Sequence, residues 1–190
     1  MIEGPRRERA DAARNREALL EAATRLLDQC GPDGLTMEAV ACEAGVGKGT
    51  LFRRFGDRAG LFHALIDDRE RAFQDAFIRG PAPLGPGAPA RERLIAFGHA
   101  MIELIERHGA LLVESTPANR ALRYGHPVYV AYRTHISALL GEVVGAARAS
   151  YLADVLLGAL DPDFVLYQRQ GLGLTQDELS DGWTQLIESL

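Results

Sequence analysis

Apolar residues recur at helical spacing along nearly the whole chain, and the apolar–polar alternation typical of strands is almost absent. The first such stretch covers about 13–29, with Leu19, Ala23 and Leu26 on one side. The 190 residues are enough to bury a sizeable core. The sequence therefore predicts an all-α fold. Further helices are predicted over 37–44, 48–54, 58–78, 90–108, 127–148, 150–160 and 162–170, and after a capping box at Thr175.

One segment interrupts this helical pattern. The stretch GPAPLGPGAP at 80–89 holds four prolines and three glycines, which excludes a helix there. We interpret it as a joint between two helical regions. The predicted organisation is therefore a charged tail at 1–12, one domain at 13–73 and a second at 90–190.

Composition excludes several classes of protein. Hydrophobic residues make up 47% and charged residues 25%, as in ordinary soluble proteins. No apolar run approaches the length of a membrane span, and the charged N-terminal stretch lacks the apolar region of a signal peptide. We therefore expect a cytoplasmic protein with no membrane partner.

Patterns typical of enzymes and metal sites are missing from the sequence. The five histidines have no metal-ligand spacing, and no GxSxG, Walker or GxGxxG motif occurs. The prediction is a protein that is not an enzyme, with no cofactor and no metal site. Cys30 and Cys42 are expected to be small buried residues, with a redox switch as the alternative.

The segment with recognisable chemistry is 36–55, TMEAVACEAGVGKGTLFRRF. It predicts two short helices joined by a glycine-containing turn, which is the helix-turn-helix pattern. The net charge of the chain is −5, yet 47–58 carries four basic residues and one acidic residue. In a helix-turn-helix motif the second helix is the recognition helix, and it inserts residues of this kind into the major groove of DNA.

The outer side of the predicted third helix therefore supplies the candidate DNA contacts. Lys48, the chain's only lysine, is long enough to reach guanine O6 or N7. Gly47 and Gly49 remove side-chain bulk where the backbone approaches DNA. Thr50 suits a phosphate or a thymine methyl. The remaining candidates are Arg53, Arg54 and Arg58, of which the last two suit phosphates at helix termini.

The stretch from Asn15 to Phe73 resembles the N-terminal domain of TetR-family transcriptional regulators. The resemblance rests on REALLEAATRLLDQCGPDGLTMEAVACEAGVGKGTLFRRFGDRAGLFHALI, with its AGV-x-KGTL core followed by an aromatic residue. It implies DNA contacts at Thr36, Lys48, Thr50, Phe52 and Arg54, and a phosphate contact at Arg58. The chain departs from the usual family pattern at three positions, with Gly47 for Ser or Thr, Phe52 for Tyr and Arg54 for His.

The resemblance also implies a dimer and an effector site in the C-terminal region. A single helix-turn-helix makes few base contacts, so such proteins pair on palindromic sites. The predicted dimer interface comprises Leu152, Leu156, Tyr167, Leu179, Trp183, Leu186 and Leu190, with monomer core as the alternative. Aromatic residues with a few polar groups are typical of ligand sites. The predicted pocket comprises Phe97, Met101, Leu104, Tyr124, Tyr129, Tyr132 and Arg133, with ordinary core packing as the alternative.

The resulting hypothesis is a homodimeric, ligand-responsive repressor that binds double-stranded DNA at a palindromic operator. Its partners would be DNA, a second copy and an unidentified small-molecule effector, with the helix at 58–78 transmitting the effector signal. One alternative is an activator or a co-repressor-dependent regulator. Another is a helical ligand-binding protein that has lost DNA binding.

Overall fold

The computed structural model describes the backbone of 4–115 and 123–190, and the side chains from Asn15 onward except at 32, 33, 110, 114 and 115. This part of the chain consists of helices joined by turns and contains no strand, which confirms the all-α prediction. The N-terminal helices are α1 (Gly4–Gly34), α2 (Met37–Glu43), α3 (Lys48–Phe55) and α4 (Arg58–Arg79). They are followed by α5 (Ala90–Ser115), α6 (Pro127–Val144), α7 (Ala146–Ala159), α8 (Pro162–Leu166) and α9 (Gln176–Glu188).

Several helix boundaries differ from the predicted ones. Helix α1 begins at Gly4 rather than near 13, since the Arg-, Glu- and Ala-rich sequence there favours helix. The helix predicted over 127–148 ends at Val144, because Gly145 has a φ of 83° and a new helix starts after it. The helix predicted over 162–170 is α8 followed by a π-helical turn at Tyr167–Gly171.

Helix caps fall where the sequence predicts them. The hydroxyl of Thr36 accepts from the backbone N–H of Ala39, and the Thr175 capping box is complete. At the start of α4, Asp57 Oδ1 accepts from Gly60 N at 2.8 Å. Each cap satisfies a backbone donor that the first turn of a helix leaves unpaired.

The chain groups into two compact units, Met1–Arg69 and Glu70–Leu190. The first contains α1 to α3 and the beginning of α4. Its core consists of fully buried apolar side chains, including Leu19, Ala22, Ala23, Leu35, Val40, Leu51 and Leu61. The second unit has a separate core, including Phe77, Leu94, Phe97, Ile105, Ile136, Leu140, Leu156 and Ile187.

The proline-rich segment 80–89 forms turns without helix, and it lies inside the second unit between α4 and α5. The segment belongs to the second unit because the helix before it, α4, already packs there at its C-terminal end. Phe73 and Phe77 lie there, and their rings pack against Phe97 at centroid distances of 5.1 and 5.5 Å. The apolar end of α4 therefore belongs to the core of the second unit.

Helix α9 packs against α5 through a tryptophan. Trp183 is 4% exposed and its Nε1 donates to the carbonyl of Leu94 at 3.0 Å. Gly98 lies beneath the indole ring, where an added Cβ would come within 2.0 Å of Trp183 Nε1. The absence of a side chain at Gly98 is thus what lets the two helices approach.

We expect Gly98→Ala to destabilise the second unit by about 1–3 kcal/mol, because the added methyl displaces a packed indole. Chemical unfolding followed by tryptophan fluorescence measures this. Gly141→Ala is the matched control: it lies in α6 with nothing within 4 Å of an added Cβ, and should not destabilise. Equal stability of Gly98→Ala and the wild type would contradict the described packing.

Candidate nucleic-acid interface

The turn between α2 and α3 is fixed by backbone hydrogen bonds. Gly45 has a φ of 65°, which favours glycine, and its N–H bonds to the carbonyl of Cys42 at 3.1 Å. The N–H of Val46 bonds to the carbonyl of Ala41 at 2.9 Å. Together these two bonds form a Schellman motif, which ends α2 and redirects the chain into α3.

Burial of one face fixes how α2 and α3 are presented. Val40, Ala41 and Leu51 are 0–3% exposed, so the inner sides of both helices lie in the core of the first unit. The outer side of α3 is left open to solvent. All the predicted DNA contacts lie there or at neighbouring helix starts, and all are exposed except the half-buried Thr50: Thr36, Gly47, Lys48, Gly49, Phe52, Arg53, Arg54 and Arg58.

Phe52 is the exposed aromatic residue of α3, with 44% of its surface open. The open part of its ring could contact a deoxyribose or a thymine methyl. It lacks the hydroxyl that a tyrosine would offer to a phosphate, a difference of about 1 kcal/mol.

Lys48 forms an ion pair with an acidic residue of α2. Its Nζ lies 3.1 Å from Glu38 Oε1, and the two side chains are 61% and 57% exposed. The hydrogen bond from Lys48 holds the pKa of Glu38 below its usual value. The sequence analysis did not identify Glu38 as a residue of this surface. The sequence already put Glu38 in the first turn of the predicted helix 37–44, which precedes the helix that contains Lys48.

Arg58 has a structural role besides its predicted phosphate contact. Its Nε donates to the carbonyl of Leu35 at 3.0 Å, and its guanidinium lies 4.4 Å from the ring centre of Phe62. These contacts join the start of α4 to the residue before the α2 cap. Substitution of Arg58 would therefore affect folding as well as charge.

The fold does not require either of the two glycines at the start of α3. An added Cβ at Gly47 or Gly49 would meet nothing within 4 Å, and Gly47 has an ordinary φ of −69°. Glycine inside a helix costs up to about 1 kcal/mol relative to alanine. Two unrequired glycines in sequence with exposed basic residues fit a surface where another molecule approaches the backbone.

The prediction for the cysteines is wrong. Cys30 and Cys42 are both free and both exposed. Cys30 lies beside the irregular residue Gly31 near the end of α1, and Cys42 lies on the outer side of α2. Neither position belongs to the apolar stripe that the helices bury.

The predicted pocket residues fall into two separate groups in the second unit. Phe97, Met101 and Tyr132 are buried, and Leu104 is partly buried. The remaining three, Tyr124, Tyr129 and Arg133, lie at or near the surface.

The surface group forms a polar network between α6 and α7. Arg133 makes two bonds to Asp154, at 2.7 and 3.1 Å, and Tyr129 donates to Asp154 at 3.1 Å. The ring of Tyr124 lies 5.1 Å from that of Tyr129. Burial and the bond to Asp154 raise the pKa of Tyr129 to about 12. The arrangement joins two helices and engages the hydroxyl of Tyr129 and both carboxylate oxygens of Asp154.

The buried group is an aromatic cluster that sequence analysis only partly identified. Besides Phe97 and Tyr132 it includes His135, whose ring lies 4.3 Å from that of Phe77 and 5.7 Å from that of Phe97. Three buried polar atoms around it have no partner among the described residues: Tyr132 Oη, His135 Nε2 and Arg93 Nε. Burial raises the pKa of Tyr132 and lowers that of His135 to about 4. Buried polar atoms are normally hydrogen-bonded, and ligand sites combine aromatic rings with a few polar groups.

The predicted dimer residues are also divided. Leu156 and Trp183 are 1% and 4% exposed within a single chain, so they offer no surface to a second one. Leu152, Leu179 and Leu190 are partly buried, whereas Tyr167 and Leu186 are 56% and 40% exposed. The sequence analysis missed two exposed residues of α7, Tyr151 (75%) and Val155 (46%), whose four-residue spacing puts them on one face.

A groove of about 510 Å³ lies in the first unit between α1 and the middle of α4. Its charged lining carries three arginines and three carboxylates, namely Arg16, Arg25, Arg69, Glu17, Glu21 and Asp68.

Within the described helices, none has the length and apolar character needed to cross a membrane. The described side chains include no cluster of His, Cys, Asp and Glu suited to a metal ion.

Comparisons with known proteins agree with this geometry. Residues 19–65 match the model of bacterial regulatory proteins of the tetR family. An HTH-type transcriptional regulator of Staphylococcus aureus strain USA300 is 40% identical over 58 residues, which are 30% of this chain and 31% of that protein. The aligned part thus spans about a third of the length of that relative.

Solved structures match over nearly the whole chain. A TetR-like transcriptional regulator from Rhodococcus sp. RHA1 has a TM-score of 0.61 at 21% identity, covering 92% of this chain and 93% of that one. The regulator FadR from Bacillus subtilis, in complex with stearoyl-CoA, has a TM-score of 0.65 at 16% identity, covering 90% and 96%. The family match therefore covers residues 19–65, and the solved structures share the helical fold of the chain.

We expect Gly49→Ala to keep or raise the stability of the protein, by up to about 1 kcal/mol, while it weakens DNA binding by roughly five-fold or more. The added methyl fits the fold, but it would stand between the helix backbone and DNA if this surface is the DNA-binding one. Thermal unfolding and a binding titration with duplex DNA measure the two effects. Gly141→Ala, also a helical glycine with open surroundings, should leave DNA affinity unchanged. Unaltered affinity of Gly49→Ala would show that this surface does not approach DNA.

The protein should lose stability as the pH falls from about 6.5 towards 4. His135 is held neutral in the fold, with a pKa of about 4, and takes up a proton more readily in the unfolded chain. The stabilisation from neutral His135 is fully present above the pKa that this residue has in the unfolded chain. It is lost as the pH falls towards the pKa of His135 in the folded protein. Because His135 is only half-buried, we expect about 1 kcal/mol, and His135→Phe should remove that share of the pH dependence. Identical pH profiles for both proteins in urea unfolding would contradict this.

Proposed function

We propose that this protein is a ligand-responsive transcriptional repressor that binds a palindromic operator as a homodimer. The observation that carries the proposal is the exposed basic outer side of α3, with Lys48 at its start and Arg53 and Arg54 in its last turn, held outward by a packed helix-turn-helix. In such motifs the start of the second helix contacts base edges in the major groove. Lys48 would read guanine, and the arginines together with Thr36 and Thr50 would contact phosphates.

The small size of this surface supports the proposed homodimer. One short recognition helix makes few base contacts, and two copies about 34–36 Å apart would read two half-sites one helical turn apart. Four apolar side chains near α7 and the π-helical turn support a second copy as the partner, because each is nearly half exposed or more: Tyr151, Val155, Phe164 and Tyr167. Leu186 on α9 would extend this surface.

The aromatic cluster of the second unit is the proposed ligand site. Its rings would hold an apolar ligand, and Tyr132, His135 and Arg93 would supply the hydrogen bonds that the fold leaves unmade. The stearoyl-CoA bound by the Bacillus subtilis FadR gives a first class of compound to test, acyl-CoA thioesters. Residues of α4 belong to both compact units, so this helix is the proposed route from ligand to DNA.

Selection of bound duplexes from a random-sequence pool, at fixed salt, tests the DNA-binding part. A palindromic consensus supports the proposal. Failure to recover any consensus, with and without acyl-CoA, supports instead a helical ligand-binding protein without DNA binding. Expression from the recovered promoter in a deletion strain then separates a repressor from an activator, since loss of a repressor raises expression.

The ligand part of the proposal has a thermodynamic test. An effector that lowers DNA affinity must have its own affinity lowered by operator DNA to the same extent, typically about 1–3 kcal/mol. Calorimetric titration of a candidate ligand with and without bound operator measures this coupling. Equal ligand affinity in both titrations contradicts induction by that compound.

We expect Lys48→Ala to weaken operator binding by about 1–3 kcal/mol and to relax base preference at one position in each half-site. Competition between the consensus duplex and single-base variants measures the preference. Arg79→Ala is the control: Arg79 is an exposed basic residue at the end of α4, paired with Asp75, and lies outside the proposed surface. Unchanged affinity and preference for Lys48→Ala would mean that α3 reads DNA through other residues.

A further inference from the structure

The ion pair between Glu38 and Lys48 joins the beginnings of two helices. Glu38 is the second residue of α2 and Lys48 is the first residue of α3, yet their charged atoms are 3.1 Å apart. Both side chains are more than half exposed. The proposed recognition surface therefore carries a carboxylate and an ammonium side by side, at the point where the beginnings of α2 and α3 meet.

The helix dipoles act differently on the charges of Glu38 and Lys48. A carboxylate in the first turn of a helix is stabilised by the helix dipole, whereas a lysine there is not. Glu38 is thus favourably placed in α2, while Lys48 depends on Glu38 for electrostatic compensation at the start of α3. Because the pKa of Glu38 is lowered by Lys48, the carboxylate is ionised at neutral pH.

An ionised carboxylate is a disadvantage on a surface that approaches DNA. It repels phosphates and offsets part of the attraction from Arg53 and Arg54 on the same side of α3. The cost is recovered only if the carboxylate meets a hydrogen-bond donor. In the major groove the amino group at cytosine N4 is the donor that Glu and Asp side chains accept from.

We propose that Glu38 is a specificity-determining residue, which reads one C·G base pair together with Lys48. This inference rests on the proposed DNA-binding function. The carboxylate of Glu38 would accept from cytosine N4, and the ammonium of Lys48 would donate to guanine O6 and N7 of the same pair. Cytosine N4 and guanine O6 are hydrogen-bonded to each other and lie side by side, at a separation that suits two charges 3.1 Å apart.

The pair also discriminates against the other base pairs. A reversed G·C pair would put guanine acceptors opposite the carboxylate of Glu38. An A·T pair offers a donor at adenine N6, but it offers Lys48 a single acceptor, thymine O4, beside a methyl group. On unrelated DNA the carboxylate and the ammonium are not both matched by the bases, while the carboxylate still repels phosphates, which lowers non-specific affinity.

Glu38→Gln is the variant that tests this inference, because it removes the charge and keeps the shape. Glu43→Gln is its matched control. Glu43 is an exposed carboxylate on the same helix, and it pairs with Arg25 at 2.9 Å rather than with Lys48. Both variants change the net charge by the same amount, so a general charge effect would be common to them.

The experiment has two readouts at one salt concentration. Random-duplex selection followed by competition gives base preference, and titration with an unrelated duplex gives non-specific affinity. We expect Glu38→Gln to reduce the preference for C·G at one position per half-site by about five-fold or more, and to bind unrelated DNA more tightly than Glu43→Gln does. Glu43→Gln should keep the wild-type preference. A merely stabilising role of Glu38 in α2 would lower both affinities and leave the preference intact.

A double-variant cycle with Lys48→Ala tests whether the two residues act as one unit. We expect the combined variant to lose no more preference at that position than Lys48→Ala alone. The inference is overturned if Glu38→Gln keeps the C·G preference, or if both glutamine variants relax it equally. If the wild-type protein selects no sequence at all, the proposed function fails first, and this result is distinct from selection of a site that ignores Glu38.

Discussion

The proposed recognition surface depends on one local constraint, the tight turn at Gly45 that ends α2. Two backbone hydrogen bonds and a positive φ end that helix within two residues, and burial of Val40, Ala41 and Leu51 then fixes α3 against the core. Because the inner sides of both helices pack in the core, the polar and basic residues of α3 lie on its outer side. The chemistry of the surface is therefore a consequence of what the core excludes.

The sequence predicted the features that depend on local chemistry. Thr36, Asp57 and Thr175 are caps because a side-chain oxygen lies at the right distance along the chain from an unpaired N–H. Features that depend on tertiary contacts were not accessible in this way. The proline-rich segment marks a turn, but the rings at the end of α4 put the division between compact units earlier, after Arg69.

The candidate site shows the same limit. Which residues of α3 are exposed could be deduced from its apolar spacing, and the structure has them exposed. The partner of each charged residue could not, since Glu38 meets Lys48 and Arg58 meets Leu35 only after the chain has turned. In the second unit the aromatic residues predicted for one pocket divide between core and surface, because residue type alone does not specify which side of a helix faces inward.

Lys48 is the only lysine among 190 residues, and its side chain is 61% exposed. Every reagent or enzyme that acts on lysine side chains therefore has a single target in this chain, at the start of α3. Acetylation there would remove the ammonium charge and leave the carboxylate of Glu38 without its counter-charge, so one modification would change this pair from neutral to negative. The same uniqueness makes the position a natural site for a single fluorescent label on the side-chain amine.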